Sequence, residues 1–254
     1  MRGPPVIAVW FSCGAPSAVA AYITAKVYGE EFGAKVRVVN NPVAEEDPDN
    51  RRFLLDVQDW VGLPIESAVN SKYPDASAQT VWEHAKALSF PNGAPCTTRL
   101  KKHARQQWEA QNPVDYHVLG FTVEEQRRHD RFVLTERDNV IPVLIHEKLT
   151  REDCIRIISE AGIELPNVYK RGYPNANCIG CVKASSPTYW NHVRRDRPDV
   201  FAARADLSER FGAKLVRYKG ERILLKDLPA DATGRPLKSL DIPDCSIFCE
   251  EGRD

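Results

Sequence analysis

The chain has 254 residues, 35 Lys and Arg balanced by 35 Asp and Glu, and 43% hydrophobic residues. This is enough for one substantial α/β domain with a small appendage, and zero net charge gives no global electrostatic reason to expect nucleic acid or an anionic membrane. Nowhere do eighteen apolar residues run together, and the apolar stretch near the start is cut at Ser12-Cys13-Gly14, so neither a membrane-spanning helix nor a signal peptide is expected. A cytoplasmic location follows as the expectation, and there the seven cysteines read as metal or catalytic groups rather than as a disulfide scaffold.

In chain order, Val6 to Phe11 is a nearly continuous apolar run, as expected of a strand buried on both faces of a parallel sheet. It enters Ser12-Cys13-Gly14-Ala15-Pro16-Ser17 and then a small-residue helix. Strand, small-residue turn and helix N-terminus is the geometry that offers backbone N–H groups to a phosphate; a plain tight turn is the alternative. Lys35 to Asn40 reads as a strand, Asp49 to Val61 as a helix and Pro64 to Val69 as a strand. Helices follow over Gln79 to Leu88 and Thr98 to Gln111, and strands over Asp115 to Phe121 and Val140 to Ile145. Thr150 is a good N-cap for a helix that Gly162 ends. This alternation predicts a doubly wound parallel sheet, Rossmann-like, whose ligands sit beyond the carboxyl ends of the strands. The Ser12 loop and the residues after Leu119 then share one rim. Residues 1–165 are read as a nucleotide-binding α/β domain. Residues 166–254 are read as a cysteine-containing part, packed on the first as one unit: a Pro-, Asn-, Gly- and Tyr-rich loop to Pro187, helices over Pro187 to Arg195 and Pro198 to Phe211, a strand pair within Lys214 to Leu225, and an irregular tail from Pro229.

Within that second part lies Tyr173-Pro174-Asn175-Ala176-Asn177-Cys178-Ile179-Gly180-Cys181, and the tail carries Asp244-Cys245-Ser246-Ile247-Phe248-Cys249. These residues, with Phe11 to Val19, Pro95-Cys96-Thr97-Thr98-Arg99-Leu100-Lys101-Lys102, Gly120 to Arg131 and Leu165-Pro166-Asn167, carry a resemblance. The chain is similar to the phosphoadenosine-phosphosulfate (PAPS) reductase family of the adenine-nucleotide α-hydrolase-like (PP-loop) superfamily, and most of all to its bacteriophage-encoded members. The most specific piece is the Leu-Pro…Tyr…Gly-Tyr…Cys-x-x-Cys block. Three departures stand out. Pro16 occupies the position where ATP-cleaving members have a magnesium-binding Asp. Pro42-Val43-Ala44 replaces an Asp-Thr-Gly that contacts nucleotide. Cys96 is single, and no His follows Cys245.

The resemblance implies an oxidoreductase of the sulfonucleotide-reductase type, acting in sulfur redox or transfer chemistry. Its nucleotide would be PAPS, adenylyl sulfate or ATP, held by Ser12, Cys13, Gly14, Ser17, Gly120 and the cations Arg99, Lys102 and Arg131. A [4Fe–4S] cluster would be held by Cys96, Cys178 and Cys181, with Cys245 or Cys249 as fourth ligand; spacing alone leaves zinc open. Cys245 has a second implied role, as the thiolate that attacks the sulfur of the sulfonucleotide, leaving an S-sulfonate from which a thioredoxin-like reductant releases sulfite. Two other readings stay open: ATP-dependent sulfur insertion into DNA or tRNA, and non-catalytic nucleotide binding. A homodimer is also open. Cys154 is expected in the core, as are Trp108, Tyr189 and Trp190. The basic run Arg194-Arg195-Asp196-Arg197 is the one patch to weigh for nucleic acid, against a solvated helix end.

Overall fold

A computed structural model describes residues 3–90 and 93–237; the predicted site residues Cys245 and Cys249, and most of the predicted tail, lie outside them. The chain divides into two units. The first comprises residues up to Pro42, Pro48–Val69 and Ala104–Asn167, and the second comprises Val43–Asp47, Asn70–His103 and the chain from Val168 onward.

The first unit holds a five-stranded, all-parallel sheet in the order β3-β2-β1-β4-β5. Its strands are β1 (Val6–Phe11), β2 (Lys35–Asn40), β3 (Ile65–Ser67), β4 (Tyr116–Val118) and β5 (Val140–Ile141). The predicted α/β class and parallel sheet are therefore observed. β1 is central, and its alternate residues face opposite ways because side chains repeat every two positions along a strand. Ile7, Val9 and Phe11 pack with apolar residues of α1 (Ala15–Ile23), α2 (Asn50–Val61) and α7 (Arg151–Glu160). Trp10 instead meets Trp108 of α4 (Ala104–Gln111) edge-on, with ring centroids 5.4 Å apart. Both faces of the sheet are covered, which is why β1 reads as an unbroken apolar run rather than an alternating one.

Two segments differ from expectation. Val140 to Ile145 is not one strand. Pro142 lacks the N–H that a ladder requires, β5 stops at Ile141, and Val143–His146 turns as the short helix α6. The strand expected over Asp115 to Phe121 is confined to β4, and the segment after Gly120 is a helical turn at Val123–Glu125 running into α5 (Gln126–Thr135). Thr122 and Glu125 form a reciprocal capping box at its start, closing donors that the first turn would otherwise leave open. The predicted Thr150 cap is present and pairs with Asp153 in a second capping box.

The second unit contains α3 (Ala78–Ala85), a π-helical turn at Thr97–His103, α9 (Pro187–Asp196), α10 (Pro198–Arg210) and the antiparallel pair β6 (Val216–Tyr218) and β7 (Glu221–Ile223). The short helix α8 (Asn167–Lys170) covers the point in the sequence where the second unit resumes. Its core gathers Trp82, Leu88, Leu100, Tyr189, Trp190 and Leu207, among others. Among the described residues no helix is long and apolar enough to cross a membrane.

Candidate functional site

In the first unit, β1 delivers the chain into Ser12, and α1 begins three residues later. With β2 on one side of β1 and β4 on the other, the connection order reverses between β1 and β4, where doubly wound sheets open a crevice. The loop's shape is fixed by three internal ties. The Ser12 N–H donates to Ser17 Oγ (3.1 Å), and the Ser17 hydroxyl donates to the Gly14 carbonyl (2.9 Å). Asn40, at the end of β2, donates to the Phe11 carbonyl (2.8 Å) and approaches Cys13 Sγ at 3.7 Å. Held this way, Cys13 adopts φ 57°, in the left-handed region, with its side chain buried.

Gly120 follows β4 and passes directly against this loop. A Cβ there would stand 2.8 Å from the Ser17 nitrogen and 3.0 Å from both Pro16 C and Ser17 Cα. Ser12, Cys13, Gly14, Ser17 and Gly120 are thus brought together, as the shared-rim expectation requires. The first turn of α1 contains no acidic residue, and no side chain caps it. A helix start without an acidic residue of its own is a fit for an anion. Arg131 is on exposed α5 surface. Its neighbour Arg128 is tied to Glu125 at 2.5 Å and lies over the Phe121 ring.

Arg99 and Lys102 belong to the second unit, on the same π-helical turn as Lys101. Arg99 is exposed, and its guanidinium is 3.4 Å from His103 Nδ1. Also in this unit, Cys96, Cys178 and Cys181 line one small cavity of about 20 Å³, with Trp82, Lys101 and Lys183. Two segments about eighty residues apart in sequence therefore present their thiols to the same space. No disulfide joins any two of the described cysteines.

The Cys178–Cys181 turn is built by three contacts. Gly180 sits at φ 71°, with its missing Cβ position 2.8 Å from Val200 Cγ1 on α10. The Cys181 N–H donates to the Tyr189 hydroxyl (3.0 Å), which lies 3.5 Å from the Cys178 carbonyl. Burial first, and then Cys181 nearby, push the Tyr189 phenol well above its ordinary range, so it serves as a neutral hydrogen-bonding strut. Trp190 closes the far side by donating to the Ala184 carbonyl at 2.8 Å.

The segment leading into that turn is stapled to α9. Arg171 makes a bidentate pair with Asp196 and reaches Asp47 at 2.8 Å, and the Tyr173 hydroxyl donates to Asp196 at 2.7 Å. The Tyr and Gly positions of the family-like block thus act here as scaffold for the cysteine turn. The basic run on α9 is likewise engaged within the unit. Arg194 bonds Asn191 (2.6 Å) and the Leu228 carbonyl (2.8 Å), and Arg197 pairs with Asp199 at 2.7 Å.

Sequence reasoning missed the acidic triplet Glu45-Glu46-Asp47. Glu45 accepts from Ser77 Oγ and from the Ala78 and Gln79 N–H groups at the start of α3. Glu46 pairs with buried Lys101 at 3.1 Å, and Asp47 takes Arg171. The segment after Pro42, where the resemblance would place a nucleotide contact, fastens the second unit. Arg204 of α10 was also missed. It is only 4% exposed and lies over the Trp82 ring at 4.4 Å, and its Nε has no hydrogen-bond partner. Burial lowers its pKa, an effect that Glu45, Cys178 and Cys96 oppose. The remaining expectations for core residues hold: Cys154, Trp108, Tyr189 and Trp190 are buried. Burial, and then Asp153, push the Cys154 thiol up to about 12, which makes it inert.

By kind of donor, three thiols on one cavity wall fit an iron–sulfur cluster or zinc. By spacing, no three His, Cys, Asp or Glu side chains among the described residues are gathered closely enough to hold a metal ion. A resident cofactor therefore needs the three thiols drawn together.

No family model matches the chain, and no curated protein matches it. Among solved structures, it is similar to the U34-tRNA thiolase NcsA from Methanococcus maripaludis with its [4Fe-4S] cluster. That match has 9% sequence identity and a TM-score of 0.45, and it covers 84% of this chain and 73% of that chain.

Proposed function

We propose that the chain is a PAPS-reductase-like enzyme that binds an adenine nucleotide on the Ser12–Ser17 loop and performs sulfur chemistry with the thiolates of its second unit. The observation that carries this reading is the convergence of Cys96, Cys178 and Cys181 on one cavity. The α1 N-terminus, approached on one side by Gly120 and with no acidic residue in its first turn, would take phosphate. Cys96, Cys178 and Cys181 would hold a [4Fe–4S] cluster, with Cys249 as fourth ligand. Such a cluster, when bound, supplies electrostatic stabilisation or electron transfer at a potential set by its surroundings.

Cys245 is left as the nucleophile. Its thiolate attacks the sulfonucleotide sulfur, the S–O bond to the nucleotide breaks, and the S-sulfonate formed is reduced by an external dithiol to sulfite, with a disulfide as the other product. Pro16 removes the carboxylate that a magnesium-dependent pyrophosphatase uses in this loop, which favours sulfonucleotide over ATP chemistry.

Protein purified without oxygen is expected to be brown, to carry iron and acid-labile sulfide, and to lose both in Cys178→Ser. It should also release sulfite from PAPS or adenylyl sulfate in a Cys245-dependent way. Colourless protein with stoichiometric zinc sinks the cluster. Pyrophosphate release from ATP transfers the assignment to sulfur insertion, and nucleotide binding with no product at all transfers it to a binding protein.

A further inference from the structure

In the second unit, Lys72, Arg99 and Lys102 pair with no carboxylate among the described residues. On the π-helical turn Thr97–His103, Lys101 is buried and bonded to Glu46, whereas Arg99 is exposed and Lys102 half-buried. One buried side chain ties exposed Lys72 to that turn. Asn70, 2% exposed, donates to the Arg99 carbonyl at 2.8 Å and accepts from the Lys72 N–H at 3.0 Å; its own carbonyl accepts from the Tyr73 N–H at 2.8 Å. The Arg99 guanidinium in turn stands 3.4 Å from His103 Nδ1. Burial first, and then Arg99, Lys102 and Lys72, lower the His103 pKa, so all three cations reach this one ring. Asp75, the one carboxylate in residues 70–80, keeps its charge but is bonded to Thr80 Oγ1 and the Ser77 N–H, and residues 93–103 contain none.

Exposed cations gain little from a lone small anion, because water and salt screen each contact. A polyanion differs: every phosphate neutralised releases condensed counterions, and the gain accumulates along the chain. None of Lys72, Arg99, Lys102 and His103 lines the cysteine cavity. Next to Lys72, Tyr73 is half-buried with its ring centroid 5.7 Å from that of exposed His84. Cations for a backbone and π-faces for bases are the make-up of a single-strand platform. In the basic run of α9, by contrast, Arg194 and Arg197 are tied within the unit.

We propose that Lys72, Arg99 and Lys102 form a binding surface for single-stranded nucleic acid, with phosphates on the three cations and a base against Tyr73 and His84. This goes beyond the proposed sulfur chemistry by giving the protein a macromolecular partner, and it rests on neither the Ser12 loop nor a cluster.

Fluorescence anisotropy of the full chain with a labelled oligonucleotide of about a dozen nucleotides, as RNA and as DNA, reads affinity across a salt series. Each phosphate contact contributes about −0.7 to the slope of log affinity against log salt, so the patch should give about −2. The triple variant Lys72→Gln/Arg99→Gln/Lys102→Gln should lose most of that slope and about tenfold or more in affinity at about 50 mM salt, with its urea midpoint unchanged. Arg195→Gln should change neither slope nor affinity. His84→Ala should weaken binding about fivefold or more and keep the slope. No binding at low salt, or a triple variant with the wild-type slope, overturns the proposal. Equal affinity for a blunt duplex overturns the single-strand assignment. Displacement by PAPS or ATP at the concentration of oligonucleotide phosphate gives the cations to the nucleotide and overturns it too. Sulfite release and iron content are measured separately, so failure here leaves the sulfur chemistry standing.

Discussion

Gly120→Ala isolates the close approach on which the candidate phosphate loop depends. The added methyl would stand 2.8 Å from the Ser17 nitrogen and 3.0 Å from two further backbone atoms of the α1 start. All three belong to the main chain, so no rotamer change can relieve the contact. The first turn of α1 or the exit of β4 must move by a few tenths of an ångström. Overpacking of this kind costs about 1–3 kcal/mol. Because the strain falls on the helix end that would face the anion, nucleotide affinity should fall by about the same free energy, on the order of tenfold to a hundredfold. Gly62→Ala is the companion variant. Gly62 has φ 75° with nothing within 4 Å of its Cβ position, so it carries only a backbone penalty of about 1 kcal/mol and should leave affinity unchanged. Calorimetric titration with ATP and adenylyl sulfate, beside urea unfolding, reads both quantities. Gly120→Ala with wild-type stability would refute the packing argument, and equal loss of affinity in both variants would refute the assignment of the loop.

The buried network around His117 predicts a pH dependence of stability. Nδ1 of this 1%-exposed residue accepts from Trp10 Nε1 at 3.0 Å, Arg137 stands against Nε2, and burial, then Arg137 and Arg105, lower its pKa to about 3. The unfolded chain takes up this proton near pH 6.5 while the folded chain does not, so the residue subtracts stability progressively as pH falls from about 6.5 to about 3. The slope is up to about 1.4 kcal/mol per pH unit. Urea midpoints of His117→Gln should fall less steeply than those of wild type between pH 7 and 4.5; parallel curves would show that His117 titrates normally. In the second unit, Gly180→Ala should cost roughly 1–3 kcal/mol from its left-handed backbone and the contact with Val200. Val200→Ala in the same chain should return the packing part, and a double variant no better than the single would place the whole cost in the backbone.

The central sheet was legible because burial on both faces leaves an uninterrupted apolar run, and β1 and β2 fall where that pattern places them. The thiol site was legible for a different reason: cysteines are rare enough that their spacing carries information without any structure. What stayed hidden was set by tertiary neighbours. Of α5, only Phe132 is buried, so the segment shows almost no apolar periodicity; its one local sign is the Thr122-x-x-Glu125 capping box. An apolar run such as Val140 to Ile145 is equally at home in strand and helix, and Pro142 decided between them. Glu45 to Asp47 looks like a solvated turn until Ser77, Lys101 and Arg171 are placed around it. Arg204 sits in an Ala-Arg-Ala stretch whose burial no local pattern reveals.

The candidate phosphate loop is held by hydrogen bonds that tolerate a strained residue in its middle. Cys13 holds a φ of 57°, a left-handed conformation in which glycine is the residue expected. A side chain there costs on the order of 1 kcal/mol. Replacing it with glycine would recover that strain, but would give up the burial of a thiol packed with Val9, Phe11 and Ala18, at about 0.8 kcal/mol per methylene-sized group. It would also loosen the unfolded chain by a further 0.5–1 kcal/mol, roughly. Burial and chain entropy together outweigh the strain by about 1 kcal/mol, so cysteine is tolerated at this left-handed position without loss of stability. The loop is held by Ser17 and Asn40, whose hydrogen bonds to Ser12, Gly14 and Phe11 fix the backbone whatever stands at position 13. Pro16 contributes no N–H of its own, and the start of α1 carries no acidic residue in its first turn and no side-chain cap.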